Sequence, residues 1–440
     1  MEKVDLVIQA RWIVPVEPRG VVLEDHALAV RDGEIVAILP AADVPEACPG
    51  AEVLMRPNHL LIPGLINAHT HAAMTLFRGM ADDMSLEKWL GEHIWPAENR
   101  WVSPDFVRDG THLAIIEMIR SGVTCFQDMY FFPDVVAQAA VEHKIRAVTG
   151  MIVLEAPTAW AANPDEYLEK GIEVHDRYLG HQHIHTSFAP HAPYTVSDET
   201  FGRLRVIADE LDVPVHMHLH ETATEVAEAE KTNGKRPIAR IDELGLLNAL
   251  LTAVHMTQLT DDEIKLLADR GVSVIHCPES NLKLASGFCP VAKLINSGIN
   301  VALGTDGAAS NNDLDMMGEM RTAALLGKGV SGDAASVSAE DVLAMATING
   351  ARAIGLGEIT GSLEIGKRAD MTCIDFSQPA TQPVHHPIST LVYSATRDQV
   401  SDVWVEGNAL LLDRALVNDP QKEILERASA WQRRLKEHDE

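Results

Sequence analysis

His69 and His71 stand one residue apart at the end of an apolar run, Leu60-Leu61-Ile62-Pro63-Gly64-Leu65-Ile66-Asn67-Ala68. On an extended chain, side chains two apart point to the same side, so both imidazoles can reach one metal ion. Imidazole suits zinc and similar cations. In a chain with 20 histidines a single such pair is weak evidence, but three more segments of the same character follow. His216-Met217-His218-Leu219-His220-Glu221, Val254-His255 and Gly304-Thr305-Asp306-Gly307 each close an apolar run in residues that can ligate a metal.

Each segment also has a plain reading. A lone His255 at a strand end is commonly a satisfied polar residue, and Asp306 before Gly307 suits a turn. His216, His218 and His220 alternate onto one side, so spacing alone leaves the ligand among them open. Taken together, on separate strands of one barrel, the segments make coincidence the poorer explanation.

Those segments need strands to carry them. From about 61 to 350 the sequence alternates strand and helix, with strand candidates at 61–69, 123–129, 146–154, 184–190, 213–219, 251–256, 272–277 and 299–304. Helix punctuation lies between. Ser103-Pro104-Asp105 reads as an N-cap, a first-turn proline and an acid on the helix dipole, and Gly122 as a stop. Phe201, Leu204, Ala208 and Leu211 recur at helical spacing after Ser197, and Thr260-x-x-Glu263 is a capping box ended by Gly271. Another helix starts near Ser338. Eight strands with helices over some 290 residues predict a (β/α)8 TIM barrel, with a doubly wound open sheet as the alternative. In a barrel the carboxyl ends of the strands open on one face, which brings the four segments together there.

The flanks differ. Residues 1–60 read as short strands (Leu6-Val7-Ile8, Trp12-Ile13-Val14, Ala27 to Val30, Ile35 to Ile38), with Asp32-Gly33 a hairpin signal. Strand character returns over 356–415, at Met371-Thr372-Cys373-Ile374 and Val403-Trp404-Val405. The expected organisation is a small β-sandwich domain built from both chain ends (1–60 and 356–415), a barrel over 61–355, and a C-terminal helix over 416–440. In that helix Ile424, Ala428, Trp431 and Leu435 form a docking stripe.

Composition narrows the function classes. With 64 acidic against 36 basic residues the net charge is −28, so a polyanion is repelled and nucleic acid is not an expected partner. Five cysteines without close spacing form no disulfide framework and favour a reducing compartment, the cytoplasm. Charges at Glu2, Lys3 and Asp5 do not suit a signal peptide, and without a run of eighteen apolar residues no membrane span is expected. His181, His183, His385 and His386 sit in polar stretches and read as surface or loop residues; Cys277 reads as a small buried side chain.

Pro63-Gly64-Leu65-Ile66-Asn67-Ala68-His69-Thr70-His71, the His218-x-x-Glu221 unit, His255 and Asp306 resemble the amidohydrolase superfamily. Gly361-Ser362-Leu363-Glu364-Ile365-Gly366-Lys367-Arg368-Ala369-Asp370 is similar to the segment in which that superfamily's chain returns to its small β domain. Within the superfamily, Gln127-Asp128-Met129-Tyr130 and the stretch from His276-Cys277-Pro278-Glu279-Ser280-Asn281 to Gly287 resemble the 5′-methylthioadenosine/S-adenosylhomocysteine deaminases. Triazine hydrolases and guanine deaminases share much of this pattern.

The resemblance implies a hydrolytic deaminase of an adenine nucleoside, 5′-methylthioadenosine above all, with S-adenosylhomocysteine or adenosine as further substrates. The alternative is an enzyme of the same superfamily acting on a free base or a triazine. It also implies that His69, His71, His218 and Asp306 hold one divalent metal, usually zinc, with iron or manganese compatible. Two-metal relatives need a lysine at the end of strand four; Ile184 to His191 offers none, which points to a single ion. Glu221, His255 and Asp306 are the implied catalytic groups. Glu98, His191 and Glu221 are the implied substrate contacts, Glu98 accepting from the ribose diol. Trp89, Leu90 and Met84 are candidates for an apolar wall around a thioether. Arg78, Arg100 and Arg146 are candidates for holding a homocysteine carboxylate. Relatives commonly self-associate, so a homo-oligomer is an expectation the resemblance carries.

Overall fold

The computed structural model describes residues 4–418 and 420–436. Residues 1–3 and 437–440, the outermost parts of the expected β domain and C-terminal helix, lie outside the described residues.

Eight parallel strands follow one another in sequence order around one sheet: Leu65–Thr70, Val123–Tyr130, Arg146–Val153, Ile184–Pro190, Val215–Leu219, Leu251–His255, Ser273–His276 and Val301–Leu303. Helices fill the connections, including Pro104–Arg120, Pro133–His143, Asp198–Leu211 and Asp261–Arg270. The caps are those the sequence specifies. Ser103, Ser197, Thr260 and Ser338 each accept the backbone N–H three residues on, which satisfies donors the first helical turn leaves unpaired.

A closed barrel rather than an open sheet follows from the contact of the first and last strands. Asn67 Nδ2 donates to Thr305 Oγ1 at 2.7 Å, and Thr305 N donates back to Asn67 Oδ1 at 3.0 Å. Asp306 N donates to the His69 carbonyl at 3.0 Å. This approach requires glycine at 304, where a Cβ would lie 2.8 Å from the backbone N and O of His69.

The stretch read as one strand over 61–69 is two. Val53–Pro63 belongs to a second sheet and Leu65–Thr70 to the barrel. Gly64 is the step between them: its N–H donates to Asp370 O at 2.9 Å, and a Cβ there would collide with Thr124 Oγ1 at 2.0 Å. Leu6-Val7-Ile8 and Trp12-Ile13 likewise lie in one strand, Leu6–Ile13. The fifth barrel strand begins at Val215 rather than 213, after Pro214, which has no N–H for the ladder.

The second sheet joins both chain ends. Val53–Pro63 pairs in parallel with Leu6–Ile13 and antiparallel with Met371–Asp375, which puts N-terminal and C-terminal strands side by side. Leu23–Arg31 and Glu34–Pro40 form the hairpin turned by Asp32-Gly33. Helix Gln421–Lys436 docks on Pro104–Arg120: Trp431 is buried, its ring edge-on to Phe106 at 5.2 Å, with Nε1 donating to Asp109 at 2.9 Å. Among the described residues no helix is long and apolar enough to cross a membrane.

Candidate metal centre and active site

His69 and His71 end the first barrel strand, His218 lies on the fifth, and Asp306 follows the eighth. Their ligand atoms all fall within 4.8 Å of one another. His69 Nε2 is 3.2 Å from His218 Nε2 and 3.5 Å from Asp306 Oδ1; His71 Nε2 is 3.1 Å from the same oxygen. A tetrahedral ion with bonds of about 2.0–2.1 Å places its ligand atoms about 3.3 Å apart, so the spacing fits one zinc-sized cation.

The far side of each ligand is fixed. His71 Nδ1 donates to Met129 O at 2.5 Å and His218 Nδ1 to His191 O at 2.9 Å, which leaves the Nε2 lone pairs facing the common point. Asp306 Oδ2 accepts from Ser280 Oγ at 2.6 Å and Ser310 Oγ at 2.8 Å, while Oδ1 faces the imidazoles. Asp306 and His255 both have left-handed backbones, φ 63° and 75°. Such conformations persist in non-glycine residues where the surroundings over-determine them, as the Asp306 N–H and carbonyl bonds to His69 and Thr70 do here.

Electrostatics suit a cation. Burial opposes the charge on Asp306, yet hydrogen bonds from His69 and His71 hold its carboxyl well below the usual range. Burial pushes His218 well down and His69 down to about 4. Burial also opposes charge on His71, but Asp306 outweighs it and lifts that imidazole to about 9. The buried carboxylate thus seeks positive charge; His69 and His218, held neutral, are in the form that ligates, and on His71 an ion would replace the proton that Asp306 favours.

The other expected residues gather around this centre. His255 stacks on His218 with ring centroids 5.4 Å apart, and its Nε2 lies 3.8 Å from Glu221 Oε2. Burial, reinforced by the charge of Asp306, pushes Glu221 up to about 8. His71, His218, Glu221, His255 and Asp306 line a cavity of about 1060 Å³. Glu98 and His191 stand in its wall. Tyr130 Oη donates to Glu98 Oε1 at 2.7 Å, and His191 Nδ1 pairs with Thr195 Oγ1 at 3.1 Å. Trp89 and Leu90 line the wall as expected. Met84 does not; it packs against the core, and Met74 lines the cavity instead. Arg78, Arg100 and Arg146 are all outside the lining.

Four residues support the centre, three of them without an assigned role in the sequence and His216 as an open ligand candidate. His216 backs His69, Ser280 and Ser310 hold Asp306, and Asn281 Oδ1 lies 2.9 Å from His255 Nδ1. The signal for Ser280 and Asn281 was the polar pair just past the seventh strand; His216 is a candidate ligand in the sequence, and only the fold shows that it backs His69 instead. His220 turns away: with φ 52° it leaves the strand, its Nδ1 donating to Gln258 O and its Nε2 accepting from Ile238 N.

Comparison with known proteins agrees with this geometry. The amidohydrolase family matches residues 60–410. A relative from Saccharophagus degradans, named 5-methylthioadenosine/S-adenosylhomocysteine deaminase, is 50% identical over 97% of this chain and 96% of its own length. A crystal structure described as an adenosine deaminase from Xanthomonas campestris with bound zinc superposes with a TM-score of 0.98 at 52% identity, covering 99% of both chains. Atrazine chlorohydrolase from Arthrobacter aurescens, with a TM-score of 0.90 at 22% identity over 97% of this chain and 99% of its own, shares the fold. On the match across most of its length and on its high-identity relatives, the chain belongs to the amidohydrolase family.

Proposed function

We propose that the protein is a zinc-dependent hydrolytic deaminase of adenine nucleosides, converting 5′-methylthioadenosine and water to 5′-methylthioinosine and ammonia. The observation that carries this reading is the His69, His71, His218 and Asp306 cluster, three of whose members line one cavity together with Glu221, His255 and Glu98. The names of the high-identity relatives support the substrate.

His69, His71, His218 and Asp306 would hold the zinc, which when bound would supply Lewis acidity and lower the pKa of a water toward neutrality. The chain does the rest. Asp306 stays ionised and takes the water's proton, with Oδ2 steadied by Ser280 and Ser310. Glu221, held high by burial, carries a proton to a ring nitrogen beside the reacting carbon, which makes that carbon electrophilic. His255, steadied by Asn281, orients the water and stabilises the addition intermediate. Attack and a second proton transfer release the amine as ammonia. Glu98 accepts from the two ribose hydroxyls, and His191 donates to the purine or sugar.

All five cysteines are free and buried, which fits a reducing compartment such as the cytoplasm. The test is incubation of zinc-loaded protein with 5′-methylthioadenosine. Loss of adenine absorbance with one ammonia per nucleoside supports the reading; no change at micromolar enzyme rejects it.

A further inference from the structure

Glu221 reaches the cavity from a turn rather than from a strand. The fifth barrel strand ends at Leu219, His220 is left-handed at φ 52°, and Thr222 caps the helix Ala223–Asn233. Among the described residues no hydrogen bond holds the Glu221 carboxyl, and His255 Nε2 at 3.8 Å is beyond that reach. Where the carboxyl stands is therefore set by the backbone that carries it.

One side chain fixes that backbone. Glu225 Oε1 accepts the His220 N–H at 3.1 Å, and Oε2 accepts the Glu221 N–H at 2.6 Å. Successive N–H groups turned to one side form a concavity that holds an anion, and here the anion is the protein's own carboxylate. Glu225 is fixed in turn, its N–H donating to Thr222 Oγ1 at 3.1 Å. The arrangement does more than cap a helix. In Thr260–Glu263 the carboxylate takes the N–H of the capping residue, whereas Glu225 reaches back to the two residues before the cap.

The Glu221 carbonyl is held as well. Thr257 Oγ1 donates to it at 2.6 Å and accepts from Gln258 Nε2 at 2.9 Å. Gln258 Nε2 also donates to Ser286 O at 2.9 Å. Gly287 admits this contact, since a Cβ there would lie 2.4 Å from Gln258 Nε2 and 2.9 Å from Thr257 Oγ1. The loop beyond the seventh strand thus closes on the turn that carries Glu221.

Resting on the deaminase reading above, we propose that Glu225 is the positioning residue for Glu221. Its carboxylate clamps two backbone N–H groups and, with Thr257 on the carbonyl, aims the proton-carrying side chain at the substrate. Glu225 acts through Glu221 and not on the substrate itself. Misplacing a reacting group by about 1 Å can cost about a hundredfold in rate, so loosening this clamp should appear in kcat.

The experiment is a double-mutant cycle on the zinc-loaded enzyme with 5′-methylthioadenosine. Wild type, Glu225→Gln, Glu221→Gln and the double variant are compared in kcat, KM and zinc content. Glu225→Gln keeps the size but turns an NH2 group toward one of the two N–H donors. Its kcat should fall about 10–100-fold, with KM within about threefold and zinc content unchanged. In the Glu221→Gln background the same change should matter by less than about twofold, because the side chain it positions no longer carries the proton. Equal losses in both backgrounds would make Glu225 a residue of the fold alone and overturn the proposal. So would a Glu225→Gln enzyme with unchanged kcat. Should Glu225→Gln fail to fold, Thr257→Val takes its place in the cycle, removes the donor to the Glu221 carbonyl, and should show the same non-additivity. Wild type without turnover would strike the deaminase reading and the positioning role with it, a result distinct from wild-type turnover that Glu225→Gln leaves intact.

Discussion

His69 Nδ1 lies 2.8 Å from His216 Nε2, one imidazole backing another. Proton positions along this contact follow from its far end. Thr252 Oγ1 donates to Val215 O at 3.2 Å, so it accepts from His216 Nδ1 at 2.8 Å. His216 Nε2 then carries a lone pair, accepts the His69 Nδ1 proton and leaves His69 Nε2 bare toward the metal position. Burial pushes His216 well below its ordinary range, which keeps it neutral and able to accept. His216→Ala removes this support. Metal affinity should fall about 10–100-fold, the usual cost of losing such a partner, as read by competition with a chromophoric chelator.

Glu221→Gln keeps the shape and removes the proton carrier. Turnover should drop by about 10²–10⁴-fold while zinc content is unchanged. Parallel rate and metal assays check both halves. A protein that only stores or senses metal would show no functional change.

Glu98 gives the pH dependence. Burial pushes its carboxyl up to about 7, against the Tyr130 hydroxyl, which favours the ionised form. Accepting two ribose hydroxyls needs the carboxylate, present above that value and lost as pH falls through it. KM for nucleosides should therefore rise on the acid side. Initial rates on either side of that pH should show the rise, and a 2′,3′-dideoxynucleoside should not. Glu98→Ala should impair turnover of nucleosides and spare any turnover of free bases, which have no diol.

The C-terminal helix is an anchor at a distance from the chemistry. Trp431 buries its ring against Phe106 and donates to Asp109. Trp431→Ala should destabilise by about 3–5 kcal/mol, seen as an earlier urea midpoint with zinc still bound.

The sequence placed the barrel strands and, with the resemblance, the residues of this centre, because ligand types at strand ends converge wherever parallel strands close. It could not choose among His216, His218 and His220. Their alternation is real for the first two, which both lie in Val215–Leu219, and depth decides between them: His216 sits one rung below and meets the back of His69. His220 leaves by a left-handed turn that no alternation predicts. The break at Gly64 was hidden for a similar reason. An unbroken apolar run serves two sheets, and only the crowding against Thr124 marks the step. Asp128, quoted only as part of a motif, accepts the Ala72 N–H at 2.7 Å and so fixes the turn that carries His71.

The most direct test of the account is X-ray absorption at the zinc edge of the loaded enzyme. Three imidazole nitrogens at about 2.0–2.1 Å, one carboxylate oxygen at about 2.0–2.2 Å and a water oxygen are expected, with one ion per chain. A sulfur scatterer at about 2.3 Å, or an enzyme that takes up no ion when zinc is supplied, would contradict it.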